Sequence, residues 1–189
     1  METNKQRLYV ISGSSGVGKG TVIKELLSRR DDIELSVSCT TRNPREGEVD
    51  GQSYFFITRE EFEKSVENNE FLEHAEFSGN CYGTKKSFVE TKLKEGKNVL
   101  LEIDTQGALQ VKEKMPEAVL IFIAPPSYQD LEFRLRNRKT ETEEAIQKRL
   151  DFVKFEMNNS KFFDYLVIND VVTRAVEEIE HIMATHGIY

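Results

Sequence analysis

LYVISGSSGVGKGT, residues 8–21, runs from an apolar segment through a glycine-rich turn into a helical pattern. Leu8 to Ile11 reads as a buried strand, and the helical pattern begins near Val17. Between them Gly13, Ser14, Ser15, Gly16, Val17, Gly18 and Lys19 meet the spacing GxxxxGK. That spacing, with a strand before it and a helix after it, describes a phosphate cradle. The glycines let the backbone turn tightly so that successive N–H groups face inward at an anion. The helix that follows adds its positive end, and Lys19 can reach the outer phosphates as a point charge. A glycine-rich turn alone would carry little information; in this context it predicts binding of a nucleoside triphosphate. Gly20 stands where such loops commonly carry the Ser or Thr that contacts magnesium, and Thr21 follows it. Either Thr21 supplies that hydroxyl or the metal is held mostly by phosphate oxygens and water, which suits magnesium.

The remainder of the chain bounds what surrounds this cradle. Its 189 residues suffice for one substantial domain with inserted parts. Hydrophobic content of 38% and charged content of 31% describe a globular protein, not a disordered one. With 26 basic and 33 acidic side chains the formal charge is −7, so positive charge must be concentrated where phosphates bind. The same balance argues against a broad nucleic-acid-binding face. Cys39 and Cys81 lack metal-ligand spacing, and the polar N-terminal residues do not resemble a secretory signal. Free thiols, a reducing compartment and a cytoplasmic protein are therefore expected. No apolar run is long enough for a membrane span. His74, His181 and His186 are scattered, the last two expected on the surface of a C-terminal helix.

Strand and helix patterns alternate along the chain. A helix is expected over Val22–Arg30, with strands at Ile33–Ser38 and Tyr54–Ile57. Thr58 followed by Glu60 and Glu61 is a helix start, running to about Asn68. Short strands are expected at Glu73–Phe77 and near Cys81-Tyr82. The polar segment from Thr40 to Ser53 is rich in turn formers. These pieces describe a small mixed β subdomain inserted into an α/β core. Strands at Asn98–Ile103, Val119–Ile123 and Tyr165–Ile168 then alternate with helices at Gly107–Lys114, Ser127–Arg138, Glu143–Phe155 and Thr173–Thr185. Continuous apolar strands between helices predict a parallel sheet covered on both faces. Ligands then lie beyond the carboxyl ends of the strands, near Gly13 and Asp104.

A second anion site is suggested inside the insertion. Arg42 and Arg45 flank the rigid Asn43-Pro44 turn, and two guanidinium forks can clamp one phosphate. Tyr54 and Tyr82 can each add a phenolic donor. Glu73 offers a carboxylate, and Ser38 and Thr84 offer hydroxyls. A carboxylate accepts from guanine N1–H and its amino group, while a hydroxyl donates to O6; adenine reverses that edge. Taken singly, each residue would be equally at home as a solvated charge or half-buried packing. A third basic set, Arg134, Arg138 and Arg149, lies on two charged helices late in the chain. Cations there suit phosphoryl transfer, which needs alignment and charge on the moving group more than covalent chemistry.

The chain resembles the guanylate kinase family of P-loop nucleoside monophosphate kinases. The resemblance rests on GSSGVGKGT (13–21), SVSCTTRNPREGEVDGQSYFF (36–56), EFLEHAEFSGNCYGT (70–84), LEIDTQGA (101–108), IFIAPPS (121–127), RKTETEEAIQKRL (138–150) and VIND (167–170). In order, these blocks cover nearly the whole chain. The family implies an α/β fold: a P-loop core (1–37, 95–125, 161–189), a mixed β GMP-binding part (38–94) and a helical lid (126–160). It implies ATP bound on Gly13 to Thr21, GMP or dGMP as acceptor, and Mg2+ as cofactor, in purine nucleotide metabolism. Its GMP phosphate ligands match Arg42, Arg45, Tyr54 and Tyr82, and its guanine ligands match Ser38, Glu73, Thr84 and Asp104. Its catalytic cations match Lys19, Arg42, Arg134, Arg138 and Arg149; the metal shell stays open between Thr21, Asp104 through water, and water alone. The resemblance implies no nucleic-acid or membrane partner. Ser14 and Cys81 depart from the common family residues without touching these roles. Two alternatives remain at this stage. A kinase for AMP or UMP would lack the set Ser38, Glu73 and Thr84. A non-catalytic interaction module would be expected to degrade the cradle, and Lys19 and its glycines are intact.

Overall fold

The computed structural model describes residues 6–14, 16–137 and 142–186. Strand β1 (Leu8–Gly13) lies at the centre of a five-stranded sheet. Its neighbours are β2 (Ile33–Leu35), β7 (Asn98–Glu102), β8 (Val119–Ala124) and β9 (Tyr165–Ile168), in the order β2-β7-β1-β8-β9. Every pairing is parallel, with Ile11 beside Glu102 on one side and Ile121 on the other. All six residues of β1 are buried, because alternate side chains enter two different cores. Tyr9 and Ile11 meet Val22, Ile23 and Leu26 of α1 (Lys19–Arg29) and Val176 and Ile179 of α7 (Val172–His186). Leu8 and Val10 meet Val89 of α3 (Lys86–Lys94) and Ala108 and Val111 of α4 (Thr105–Lys114). Each fully buried aliphatic side chain contributes about 1.5–3 kcal/mol, so sheet packing rather than helix propensity fixes α1 behind the glycine loop.

Between β2 and β7 the chain builds a second sheet from β3 (Cys39–Thr40), β4 (Phe55–Phe56), β5 (Phe71–Phe77) and β6 (Asn80–Lys85), ordered β4-β3-β6-β5. It is mixed: β3 and β4 are parallel, and β6 is antiparallel to both β3 and β5. Its own core is Cys39, Phe62, Phe71 and Cys81, with Phe62 and Phe71 stacked at 4.5 Å. Phe62 comes from α2 (Arg59–Glu67), whose entry is a capping box between Thr58 and Glu61. The β5–β6 hairpin turns through Ser78 and Gly79, both at positive φ, as a two-residue hairpin of the right twist requires. Further on, α5 (Tyr128–Asn137) and α6 (Glu143–Asn159) form a helical pair, with Ile146, Leu150 and Val153 buried against Tyr128.

A bulge in β5 links the two sheets. Phe71 pairs with Lys85 but Glu73 pairs with Thr84, so β5 holds one extra residue there. Phe71 therefore enters the small core, Leu72 enters the main core, and Glu73 lies beside Thr84. Helix α4 fastens this segment: Gln110 exchanges two 3.1 Å hydrogen bonds with the backbone of His74, and Lys114 Nζ donates to the Phe71 carbonyl at 2.8 Å.

The structure departs from the sequence expectations at several places, among them the end of α6 at Asn159 instead of Phe155 and the start of β5 at Phe71 instead of Glu73. Helix α1 begins at Lys19, not near Val17, because Gly18 takes a left-handed conformation. The strand expected to Ser38 ends at Leu35, and the pairing resumes as the separate β3. Helix α3 was not expected, since Phe88, Val89 and Leu93 are the apolar residues in an otherwise polar segment. His186 is half-buried, edge-on to the Tyr165 ring at 5.2 Å, whereas His181 is exposed as expected.

Candidate active site

The glycine loop sits at the carboxyl end of β1, and each of its glycines has its own reason. Gly16 and Gly18 have φ of 84° and 89°, which disfavours any side chain. Gly13 serves packing instead: a Cβ there would lie 2.5 Å from the Ile123 carbonyl oxygen. Gly18 is the N-cap of α1 but supplies no capping side chain, and the first turn carries no acidic residue. Thr21 N–H already donates to the Gly18 carbonyl at 3.1 Å, while the Lys19 and Gly20 N–H groups before it have no acceptor among the described residues and can face an anion. Lys19, in that first turn, makes no ion pair among the described residues. Ser14 is buried, its hydroxyl unpartnered among the described residues, Gly20 and Thr21 are exposed, and Ser15 lies outside the described residues.

Asn169, at the end of β9, was singled out in the sequence only as part of VIND. It is 5% exposed, and its Nδ2 donates to the Val17 carbonyl at 2.7 Å. Its own N–H donates to the Ala124 carbonyl at 2.8 Å. The side chain thus ties the loop to the far side of the sheet, and Gly18 leaves room for it. Asn169 also borders a cleft of about 520 Å3 that includes Gly16, Gly18, Thr21 and Asp170. Phe133 and Asn137 of α5 form the opposite wall.

The second anion site is assembled by the loop between β3 and β4. Arg42 is held by Glu48: Nη1 and Nη2 donate to the two carboxylate oxygens at 3.0 and 2.8 Å. The guanidinium also lies 5.5 Å from the Tyr54 ring centroid, and Tyr54 meets Tyr82 edge-on at 6.1 Å. Arg42, Tyr54 and Tyr82 are therefore brought together. The hydrogen bonds from Arg42 and the Arg45 N–H hold the Glu48 carboxyl below its usual range. Arg45 is exposed, and its guanidinium makes no ion pair among the described residues. Ser38 and Tyr54 border a smaller cleft of about 180 Å3 with Ser36, Glu102 and Ile103.

Glu73 and Thr84 form the buried part of this region. Thr84 Oγ1 donates to Glu73 Oε1 at 2.7 Å, and the two residues are 0% and 6% exposed. Burial pushes the Glu73 carboxyl up, the Thr84 hydrogen bond opposes that shift, and the nearby Asp104 charge adds to it. Asp104 caps α4 by accepting from the Gly107 N–H at 2.7 Å. Gly107 is the third member that sequence inspection missed: a Cβ there would lie 3.1 Å from Glu73 Oε2. Its lack of a side chain lets the carboxylate approach the start of α4. An acceptor pair next to a hydroxyl can read the guanine edge and reject that of adenine. Arg138 lies outside the described residues, as do the side chains of Arg134 and Arg149, whose backbones belong to α5 and α6.

Comparison with known proteins places this arrangement among relatives. The profile of the guanylate kinase family matches residues 5–186. A guanylate kinase of Clostridium perfringens (strain SM101 / Type A) is 53% identical over 182 residues, spanning 96% of this chain and 84% of the relative. That of Prochlorococcus marinus subsp. pastoris is 52% identical over 176 residues, spanning 93% and 96%. The crystal structure of guanylate kinase from Anaplasma phagocytophilum superposes with a TM-score of 0.76 at 34% identity, covering 100% of this chain and 90% of that one. With a family match over almost its entire length, this chain belongs to the guanylate kinase family.

Proposed function

We infer that the chain transfers the γ-phosphoryl group of ATP to GMP, giving ADP and GDP. The observation that carries the acceptor's identity is the buried Glu73–Thr84 pair, bonded at 2.7 Å beside Asp104 and Gly107. In this reading Glu73 accepts from the guanine N1–H and amino group, the Thr84 hydroxyl holds that carboxylate with its single hydrogen, and the Ser38 hydroxyl donates to O6. Asp104 keeps one carboxylate oxygen for the base, the other being engaged by Gly107. Arg42, Arg45, Tyr54 and Tyr82 hold the GMP phosphate. The glycine loop from Gly13 to Thr21 cradles the ATP phosphates, with Lys19 at the outer ones.

The transfer needs no base. An oxygen of the GMP phosphate is already ionised near neutral pH, since a phosphate monoester loses its second proton near pH 6. That oxygen attacks the γ-phosphorus in line, the bond to the β,γ-bridging oxygen breaks, and ADP leaves with its electron pair. Lys19, with Arg134 of α5, Arg149 of α6 and Arg138, stabilises charge on the moving group. Helix α5 borders the cleft beside the glycine loop, so closure of the α5–α6 pair over it would exclude water and favour GMP as acceptor. The chain offers magnesium hard oxygen donors, the exposed Thr21 hydroxyl in the cleft and Asp104 through water, which suits an ion that keeps much of its water. Bound with the nucleotide, magnesium neutralises the β- and γ-phosphate oxygens. Among the described residues no helix is long and apolar enough to cross a membrane. Phosphorus NMR of a mixture of ATP, magnesium and GMP tests the reading: paired signals of ADP and GDP are expected. Inorganic phosphate in place of GDP would mean hydrolysis, and would overturn it.

A further inference from the structure

We propose that Glu48 is a positioning residue that presents one free edge of the Arg42 guanidinium to the acceptor's phosphate. The inference rests on the reading above, in which GMP is the acceptor. It starts from the local sequence. Glu48 N–H donates to the Arg45 carbonyl at 3.1 Å, and Gly47 between them has φ of 84°, as a type II turn requires at that position. The turn folds Glu48 back over the residues that precede it. Its Oε2 then accepts from the Arg45 N–H at 2.7 Å as well as from Arg42.

The donors of Arg42 can be counted. A guanidinium carries five N–H groups in one plane. Glu48 takes one from Nη1 and one from Nη2, and the Asn43 carbonyl takes the other Nη1 hydrogen at 2.8 Å. What these bonds leave is Nε–H and the outer Nη2 hydrogen, which are adjacent and parallel, with the Tyr82 hydroxyl also within reach of the guanidinium. Those two hydrogens form the edge with which arginine grips a phosphate through two bonds. Both partners are shielded, with side chains 14% and 21% exposed, so solvent competes weakly for the pair. Glu48 therefore fixes the plane of Arg42 while leaving the edge that a phosphate needs.

The test is steady-state kinetics with GMP and ATP on the full chain. Glu48→Gln keeps the shape but sets an amide donor against an Arg42 donor or the Arg45 N–H. It is expected to lower kcat/KM for GMP about 10- to 100-fold, the scale of a misplaced positioning group, with the KM for ATP unchanged. On an Arg42→Met background the same change should cost nothing further, because Glu48 acts through Arg42. Glu48 lies outside the apolar clusters, so only a small fall in the unfolding midpoint is expected, from loss of the ion pair with Arg42; Glu48→Ala repeats the test should Gln misfold. Unchanged GMP kinetics, a lower KM for GMP, or losses that multiply in the double variant would each overturn the proposal. Failure of the wild-type chain to phosphorylate GMP would instead refute the proposed function.

Discussion

Replacing Glu73 by Gln separates recognition of the base from stability of the fold. In the wild type one carboxylate oxygen is engaged by Thr84 at 2.7 Å, and the group is 6% exposed. A glutamine must spend one end on Thr84, so guanine meets either an amide donor or one neutral carbonyl. One hydrogen bond to a charged group, about 1.5–3 kcal/mol, is lost, and the surviving one falls to roughly half its strength. A total of about 2–4 kcal/mol corresponds to about a 30- to 1,000-fold lower kcat/KM for GMP. The fold should respond in the opposite direction. Burial raises the Glu73 pKa, so the folded state favours its neutral form. That contribution is intact below the carboxylate's unfolded value, about 4.3, and is lost as pH rises through the folded value. Glu73→Gln removes the penalty, so its unfolding midpoint should exceed the wild type's at pH 8, with the gap closing toward pH 4. For the same reason the wild-type KM for GMP should rise as pH falls toward the raised pKa of Glu73. The assays are coupled ADP release with GMP and calorimetric melts across pH. GMP kinetics within about threefold of wild type would refute the reasoning, being less than the weakest of the bonds invoked.

Three other changes probe separate parts of the machinery. Lys19→Met keeps the stem and removes the charge; turnover should fall at least about 100-fold, the scale of losing one transition-state donor, and a normal kcat would exclude that role. Gly107→Ala places a Cβ 3.1 Å from the Glu73 carboxylate inside a helix. Helix propensity favours the alanine by about 1 kcal/mol, so thermal stability should hold while the KM for GMP rises; an unchanged KM would show that the carboxylate's position does not matter. Asn169→Ala strips the 2.7 Å bond from the Val17 carbonyl. It should cost about 1–3 kcal/mol of stability and raise the KM for ATP but not for GMP; equal effects on both substrates would argue against a role confined to the loop.

What the sequence revealed follows from how local each feature is. The strand, glycine loop and helix from Leu8 to Arg29 are consecutive, so spacing alone conveys them. The helix start at Thr58 is likewise local and appears as expected, and the structure closes it with a capping box to Glu61. Alternation of apolar strands with helices was enough for the parallel sheet. The order of its strands was not, because β7 inserts between β2 and β1 through long-range pairing. Glu73 and Thr84 were named separately, but the bulge that turns Glu73 toward Thr84 depends on which core each neighbour enters. Asn169 escaped individual notice because its partner, Val17, lies 152 residues away in the chain. Glu48 was closer to hand: a Gly at the third position of a turn between Arg45 and Glu48 is a readable signal. Gly107 gave none, since a close approach to a carboxylate from another sheet leaves no pattern in sequence.

The central claim, that ATP's phosphoryl group goes to GMP because Glu73 and its hydroxyl neighbours read guanine, meets its most direct test in one panel. ADP formation from MgATP is followed with GMP, AMP, UMP and CMP offered separately at equal concentration. Rapid turnover with GMP and background rates with the other nucleotides are predicted. Comparable turnover with AMP would contradict the guanine-reading role of Glu73, and no turnover with GMP by folded protein would contradict the enzymatic reading altogether.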